Sequence, residues 1–573
     1  PAPRPGNRRT PGARKEQEMQ PKRFVKRLLT PLVVIAGAAV SGACTSANAR
    51  NTADADACRA LVNVPNLTIV SADLRTVSSS TTTEYCYVKG LIPPSTQWHA
   101  QLPLPANWNE RFLKWGDGGK DGSLNVADHR VAQGYAVANS NSGHDNGSEP
   151  GASFGWNNRQ SEIDFGYRSV HLTITAAKTL VKAYYDKDPE YSYFEGCSTG
   201  GRQGLMEAQR FPRDFDGIVA GDPVNYYAQI NIAQIWKLQR VYRNNLAGSL
   251  VYDANGDGKP DSLTKLSMLR DAVLAKCDAL DGITDRVVDD PAACRFDPAA
   301  DLAGTMCPGD VNADNCFTKA QVQTITDFHR GPHDSKGKRV FWGASPGSEF
   351  DWAHKFFPTP RNNFVPSFLG GSAGDHLNYL FYEQDPGLPP SNLTDLHRKL
   401  NKAGHPPEWA WWEFNVDDFT AGKGQHMMSL MDATDPDLRP FLVENKGKLI
   451  LYHGWGDSGV SPEGTVTYYK DVVKTSFGDD MQAAREHARL FMFPGMGHCR
   501  GGPGPNEWDR LAALVNWVEK GQTLDFVVAT HSTDGKVDNE RPVCAYPQRA
   551  VYTGPAGGQN DPQNWVARNF ACR

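Results

Sequence analysis

Long apolar runs are scarce in this chain. The most prominent, residues 28–40, falls short of the roughly 20 residues a helix needs to cross a bilayer, so no mature transmembrane span is expected. Excess charge of one sign is missing too, since 60 Lys/Arg against 65 Asp/Glu leave a formal net charge of −5. No basic stripe with interleaved aromatics appears, which argues against a nucleic-acid partner; a small uncharged or weakly anionic substrate fits better. Internal repeats and long low-complexity tracts are absent apart from the polar loop 78–83, so the chain reads as globular throughout.

What is present is 573 residues, 39% of them hydrophobic, enough for a large core in one elaborated domain or several. Met19, then Lys22, Arg23, Lys26 and Arg27, precede the apolar run and give the pattern of an export signal, with a small-residue cleavage site at Ala47-Asn48-Ala49. Residues 1–18 then precede the true start. The alternative processing route cuts before Cys44 and lipidates it, although Ser41 stands where such signals carry an aliphatic residue. Loss of residues 1–49 removes nine Lys/Arg and two Asp/Glu, so the exported chain moves from −5 to −12. It keeps ten of the eleven cysteines, and an even number in an exported chain implies disulfides. The expected location is extracellular or periplasmic, or the outer membrane if Cys44 carries lipid.

Short β-rich runs ending in glycine or polar turns recur at residues 111–115, 135–139, 191–195, 217–220, 448–453 and 490–493. Helical patterns at 169–185, 202–210 and 509–520 fall between or after them. Alternation of this kind predicts a doubly wound, mostly parallel α/β sheet. Residues 223–435 interrupt it, and are too long for a connection. The expected organisation is a leader (1–49), a first core segment (50–222), an inserted lid (223–435) and a second core segment (436–573), whose turn-rich tail from Thr523 returns to Cys544 and Cys572.

Chemistry enters at Gly196-Cys197-Ser198-Thr199-Gly200, directly after one β-rich run and before a helical one. A G-x-S-x-G sequence in strand–turn–helix context makes an α/β-hydrolase elbow that exposes the serine hydroxyl. A serine hydroxyl is a weak nucleophile at neutral pH and needs a histidine base oriented by a carboxylate. Asp457 follows the run 448–453, and His498 follows the run 490–493, so Ser198, Asp457 and His498 occur in the chain order of α/β-hydrolases. His453 is the rival base. Cys197 precedes the serine and Cys499 follows the histidine, so a disulfide between them would hold the two loops together.

These residues carry a resemblance. Gly-Cys-Ser-x-Gly-Gly-Arg from Gly196, His-Gly-x-x-Asp from His453, Pro-Gly-Met-x-His-Cys from Pro494, and Arg-Phe-Pro-Arg-Asp-Phe-Asp-Gly-Ile-Val-Ala-Gly from Arg210 all resemble the tannase and feruloyl esterase family of secreted α/β-hydrolases, over about residues 58–572. The resemblance implies the bridge Cys197–Cys499, and the near-neighbour bridges Cys58–Cys86, Cys277–Cys294, Cys307–Cys316 and Cys544–Cys572. Spacing alone leaves the connectivity open. It also implies an oxyanion hole from the backbone N–H groups of Thr199 and Gly119, with Gly118 the alternative, in the glycine-rich loop after Trp115.

Asp278, Asp281 and Asp285 crowd one loop, where close carboxylates repel unless solvated or bound to a hard cation. The resemblance implies a structural Ca²⁺ held there by these side chains and the carbonyls of Ile283 and Val287, with no organic cofactor. The loop that begins at Asp253 starts like an EF-hand but has Thr264 where the bidentate glutamate belongs, and reads as a turn. Aromatic clusters at 352–357 and 409–414 suit a planar acyl ring or a lid core. His144 and Asp145 read as structural. The activity implied is hydrolysis of feruloyl, chlorogenate-like, gallate or related benzoate esters, with mono(2-hydroxyethyl) terephthalate or a phthalate monoester as the alternative. A serine peptidase on the same fold and an inactive binding protein are rival readings from other classes.

Overall fold

The computed structural model describes residues 52–78, 83–257, 259–362, 366–368, 376–381 and 414–573, and all structural statements concern these. The expected leader, its cleavage site and Cys44 lie outside them, as do residues 409–413 of the second aromatic cluster.

Every second side chain of a strand points to the opposite face, so a strand covered on both faces is apolar without interruption. The strands that follow the elbow motif have this property. Ile218, Leu449, Leu451 and Leu490 join the core on one face, while Val219, Ile450, Tyr452 and Phe491 join the core on the other. They belong to β7 (Gly217–Gly221), β8 (Lys448–Gly454) and β9 (Ala488–Phe493), and β6 (Tyr191–Cys197), which leads into the motif, likewise gives Phe194 to one core and Tyr193 to the other. With β1 (Thr68–Thr76), β2 (Glu84–Ile92), β3 (Thr96–Pro103), β4 (Arg111–Trp115) and β5 (Ala136–Ser140) they form a nine-stranded sheet in the order β1-β2-β3-β5-β4-β6-β7-β8-β9. Pairing is antiparallel from β1 through β3 to β5 and parallel from β5 to β9. Helices Ser169–Tyr185, Thr199–Arg210 and Pro462–Phe477 supply Leu180, Leu205 and Val472 to one face, and Arg510–Lys520 supplies Leu514 and Trp517 to the other. This is the α/β-hydrolase architecture expected from the alternation.

Two parts differ from the expectation. The antiparallel strands β1 to β3 were not anticipated; β1 is largely exposed, whereas β2 and β3 are largely buried. The tail after Thr523 is not merely turns: β10 (Phe526–Thr533) pairs with β11 (Lys536–Cys544), and β12 (Ala550–Tyr552) with β13 (Phe570–Cys572). Exposed residues alternate with buried ones along β10, and its buried Val527 and Ala529 pack against the sheet.

Residues 222–447 contribute no described strand to the nine-stranded sheet although β7 and β8 are neighbours in it. They build their own core from Ile230, Leu238, Leu269, Phe328, Trp352, Phe356 and Phe381, with Phe154 and Phe165 reaching in from the sheet segment. Trp352, Phe356, Phe357 and Phe414 are buried in that core. The loop at Asp253 closes on itself through the Tyr252–Ser262 bridge, as a turn does. Among the described residues no helix is long and apolar enough to cross a membrane.

Candidate active site

Ser198 sits between the end of β6 and the first turn of Thr199–Arg210 with φ 63° and ψ −122°, a region a side chain enters only where its surroundings enforce it. Here they do. Ser198 N–H donates to the Gly221 carbonyl at 2.9 Å, and the Ser198 carbonyl accepts from Arg202 N–H at 3.1 Å and Val224 N–H at 3.2 Å. The motif glycines permit the close backbone approach. A Cβ on Gly200 would lie 2.8 Å from the Asp117 carbonyl oxygen, and one on Gly201 2.4 Å from that of Gly221. Buried Arg202 anchors the helix by donating to the carbonyls of Gly166, Phe165 and Met431 at 2.9–3.2 Å.

Asp457 lies in the loop after β8 and His498 in the loop after β9. Asp457 Oδ2 lies 2.5 Å from His498 Nδ1. Its Oδ1 accepts from Gly459 N–H at 2.9 Å, Val460 N–H at 3.0 Å and Lys355 Nζ at 3.2 Å. Burial opposes its charge, yet His498 and Lys355 hold this carboxyl well below the usual carboxylate range. Burial likewise opposes the imidazolium of His498, and Asp457 outweighs it, raising the pKa. The His498 side chain keeps 27% exposure while Asp457 has none, so the histidine can reach a ligand and the carboxylate cannot.

His453 is fully buried. Its Nε2 faces the Val460 carbonyl at 3.0 Å and its Nδ1 the Thr465 hydroxyl at 2.7 Å, so both ring nitrogens are engaged inside the protein. His144 is buried and stacked on Phe154 with ring centroids 4.3 Å apart, and burial pushes it down to about 4. Neither presents a base to solvent.

All five expected disulfides are present: Cys58–Cys86, Cys197–Cys499, Cys277–Cys294, Cys307–Cys316 and Cys544–Cys572. The second joins the residue before Ser198 to the residue after His498 across 302 positions of sequence, with the Cα atoms 6.0 Å apart. Replacing it with Cys197→Ala and Cys499→Ala is expected to cost on the order of 2–5 kcal/mol, because two distant loops regain freedom in the unfolded chain. Thermal melting of the double variant checks this, and an unchanged Tm contradicts it.

Thr199 N–H opens the helix and therefore has no intrahelical acceptor. The Thr199 hydroxyl donates to the Gly119 carbonyl at 2.6 Å, which pins the glycine loop to the elbow. Gly119 has φ 60°, and a Cβ added at Gly118 or Gly119 meets nothing within 4 Å, so the loop borders open space. Next to it, Lys120 Nζ donates to Tyr227 Oη at 2.6 Å.

Around the elbow and Asp457 three groups were not anticipated from the sequence. Asp222, the residue after β7, is buried with its Oδ2 3.6 Å from Cys197 Sγ and its Oδ1 3.6 Å from His453 Nε2; burial raises its pKa. Its place at the carboxyl end of a central strand was a readable signal. Lys355 and its partner Asp351 lie in the insertion and carried none.

In the acidic loop, the Asp278 carboxylate accepts from the N–H groups of Asp285 and Arg286 at 3.0–3.1 Å. Asp281 accepts from Ile283 N–H and Asp285 from Val287 N–H. A fourth carboxylate, Asp289, was not anticipated. Arg541 of β11 faces Asp285 at 2.5 Å, Asp289 at 3.3 Å and Asp281 at 3.8 Å. One guanidinium does not balance these acids: burial and then Asp289 push Asp281 up to about 7, and burial with the charge of Asp285 brings Asp289 to about 6, against the pull of Arg541. Among the described residues the side-chain oxygens of Asp278, Asp281 and Asp285 do not all lie within 4.8 Å of one another, and the Arg541 guanidinium stands against two of them.

The sequence profile of the family described as tannase and feruloyl esterase matches residues 86–566. A mono(2-hydroxyethyl) terephthalate hydrolase of Piscinibacter sakaiensis is 34% identical over 553 residues, covering 87% of this chain and 86% of that protein. A feruloyl esterase B of Aspergillus niger is 28% identical over 530 residues, covering 88% and 90%. Among solved structures, an esterase from Aspergillus oryzae superposes with a TM-score of 0.72 at 25% identity, covering 91% of this chain and 100% of that one.

Proposed function

Because the chain belongs to the tannase and feruloyl esterase family and is a carboxylic ester hydrolase, we propose that it cleaves esters of aromatic acids through an acyl-enzyme on Ser198. The observation that carries this is the 2.5 Å contact of Asp457 with His498, one residue from a disulfide whose other cysteine adjoins Ser198. His498 takes the Ser198 proton through Nε2 while Asp457 holds the ring with its proton on Nδ1. The alkoxide attacks the ester carbonyl, and the N–H groups of Thr199 and Gly119 receive the charge that develops on oxygen. His498 returns the proton to the leaving alcohol, then activates water to release the acid.

Feruloyl, chlorogenate-like and gallate esters are the first substrate class. A terephthalate or phthalate monoester is the second reading, favoured by the relative of Piscinibacter sakaiensis and by the cation of Lys120 beside the glycine loop. A panel of methyl ferulate, methyl gallate, chlorogenate, mono(2-hydroxyethyl) terephthalate and a p-nitrophenyl ester tests both. Turnover of one aromatic ester well above the p-nitrophenyl ester supports the assignment. A folded protein that cleaves none of them refutes it.

Export belongs to the same reading, supported by five bridges of a kind that persist in oxidising compartments. So does a structural Ca²⁺ on Asp278, Asp281, Asp285 and the carbonyls of Ile283 and Val287. Its chemistry is charge neutralisation in the insertion. A carboxyl whose folded pKa is raised binds more protons folded than unfolded, so the metal-free protein loses stability as pH rises from about 4 to about 7. Calcium reverses that loss. At 100-fold excess over its Kd it is expected to add about 2.7 kcal/mol, with a larger Tm increment over chelator-treated protein at pH 8 than at pH 5. Equal melting with and without chelator at pH 8 removes the site.

A further inference from the structure

We propose that Lys355 is a positioning residue for the triad, placed by the insertion against the outer oxygen of Asp457 so that His498 remains a free base at lower pH. The proposal rests on the serine-esterase reading above and adds a residue from outside the hydrolase core to its chemistry.

Asp457 has two oxygens with separate duties. Oδ2 faces His498; Oδ1 faces Lys355 Nζ at 3.2 Å, from a residue 102 positions earlier in the chain. Lys355 belongs to the short helix Trp352–Phe356, is 6% exposed, and packs near the Phe368 ring. A buried ammonium with three donors must be held by acceptors, and here they are two carboxylates: Asp457, and Asp351 at 2.5 Å. Asp351 Oδ2 also accepts from the N–H and hydroxyl of Ser458, at 3.1 and 2.7 Å. On the far side, Lys237 of helix Tyr227–Leu246 donates to the Ser458 carbonyl at 2.6 Å. The residue after the triad acid is thus clamped from both sides by the insertion, and the acid itself is ion-paired to it.

The electrostatic consequence follows from the groups around His498. Asp457 and Asp222 both favour its protonation, and Lys355 opposes it. Asp457 in turn faces His498, Lys355 and His453; Lys355 faces Asp457 and Asp351, with Lys237 close by. With Lys355 removed, the buried carboxylates of Asp457 and Asp222 would act on His498 without the opposing charge that lies nearest to it. Its imidazolium would persist to higher pH, where it cannot accept the serine proton. A lysine that merely docks the insertion would alter melting without moving this ionisation.

The test needs no knowledge of the natural ester. Diisopropyl fluorophosphate phosphorylates a serine nucleophile: Oγ bonds to phosphorus, fluoride leaves, and the serine proton passes to the base. The pH dependence of the inactivation rate, with the labelled peptide identified by mass spectrometry, therefore reports the ionisation of His498 in the free enzyme. For Lys355→Met the acid limb is expected to move to higher pH by about one pH unit, while Lys355→Arg stays near wild type. The double variant Lys355→Met/Asp351→Asn, which leaves no unpaired buried carboxylate at position 351, is expected to move in the same direction and serves if the single variant does not fold. A limb that coincides with wild type in the folded Lys355→Met or double variant overturns the proposal, as does an equal shift in Lys355→Arg. Failure of the underlying reading looks different: the wild-type protein is then not labelled at Ser198.

Discussion

Ser198→Ala is expected to lower kcat for any ester the enzyme cleaves by roughly 10⁶, and to leave melting close to wild type. The loss is large because His498 then has no serine hydroxyl to deprotonate. Substrate binding and the N–H groups of Thr199 and Gly119 remain, so a residual rate of about 10³–10⁴ over water is expected. Folding should survive because the elbow is held by its backbone: Ser198 N–H and its carbonyl make the contacts that enforce φ 63°, and alanine keeps both. The same positive φ costs alanine no more than serine. Kinetics on the best ester of the panel, beside a melting curve, check the pair of expectations. Retained turnover would place the nucleophile elsewhere.

Asp457→Asn should reduce kcat by about 10⁴. An amide at this position can offer its NH₂ to His498 Nδ1, which stabilises the tautomer with the proton on Nε2, the atom that must accept from serine. It also withdraws the negative charge that favours the imidazolium. In this protein a second effect accompanies the first, since Lys355 loses one of its two carboxylate partners inside the core. Breaking a buried ion pair by removing one partner typically costs 3–5 kcal/mol; here Asp351 retains part of the interaction, so a smaller but measurable fall in Tm is expected. Combining Asp457→Asn with Ser198→Ala should give no further loss of kcat than Ser198→Ala alone, because the groups act as one unit. Additive losses would show that Asp457 acts independently of the serine.

Stability and activity therefore separate at these positions for a structural reason. The elbow is maintained by steric fit among glycines and backbone hydrogen bonds, so the serine hydroxyl contributes little to folding. The acid is maintained by charge pairing across the boundary between the sheet and the insertion, so its carboxylate contributes to both.

Local chemistry made much of this protein legible in its sequence. The doubly covered strands could be read because both faces demand apolar residues, and the elbow because Gly196, Gly200 and Gly201 each meet backbone where a Cβ would stand. The proposed triad residues Ser198, Asp457 and His498 could be picked out because each follows a strand of the parallel sheet, where side chains emerge at one common end. The bridges followed from family resemblance, and Cys197–Cys499 also from its place beside Ser198 and His498. Tertiary structure alone decided what surrounds those residues. Arg541 reaches from β11 into the acidic loop, and Lys355 reaches from the insertion to Asp457. Each depends on a contact between segments far apart in the chain, where no turn geometry or side-chain period constrains which residue arrives. Charge balance in the buried site selects those partners, and that balance exists only once the insertion has folded against the sheet.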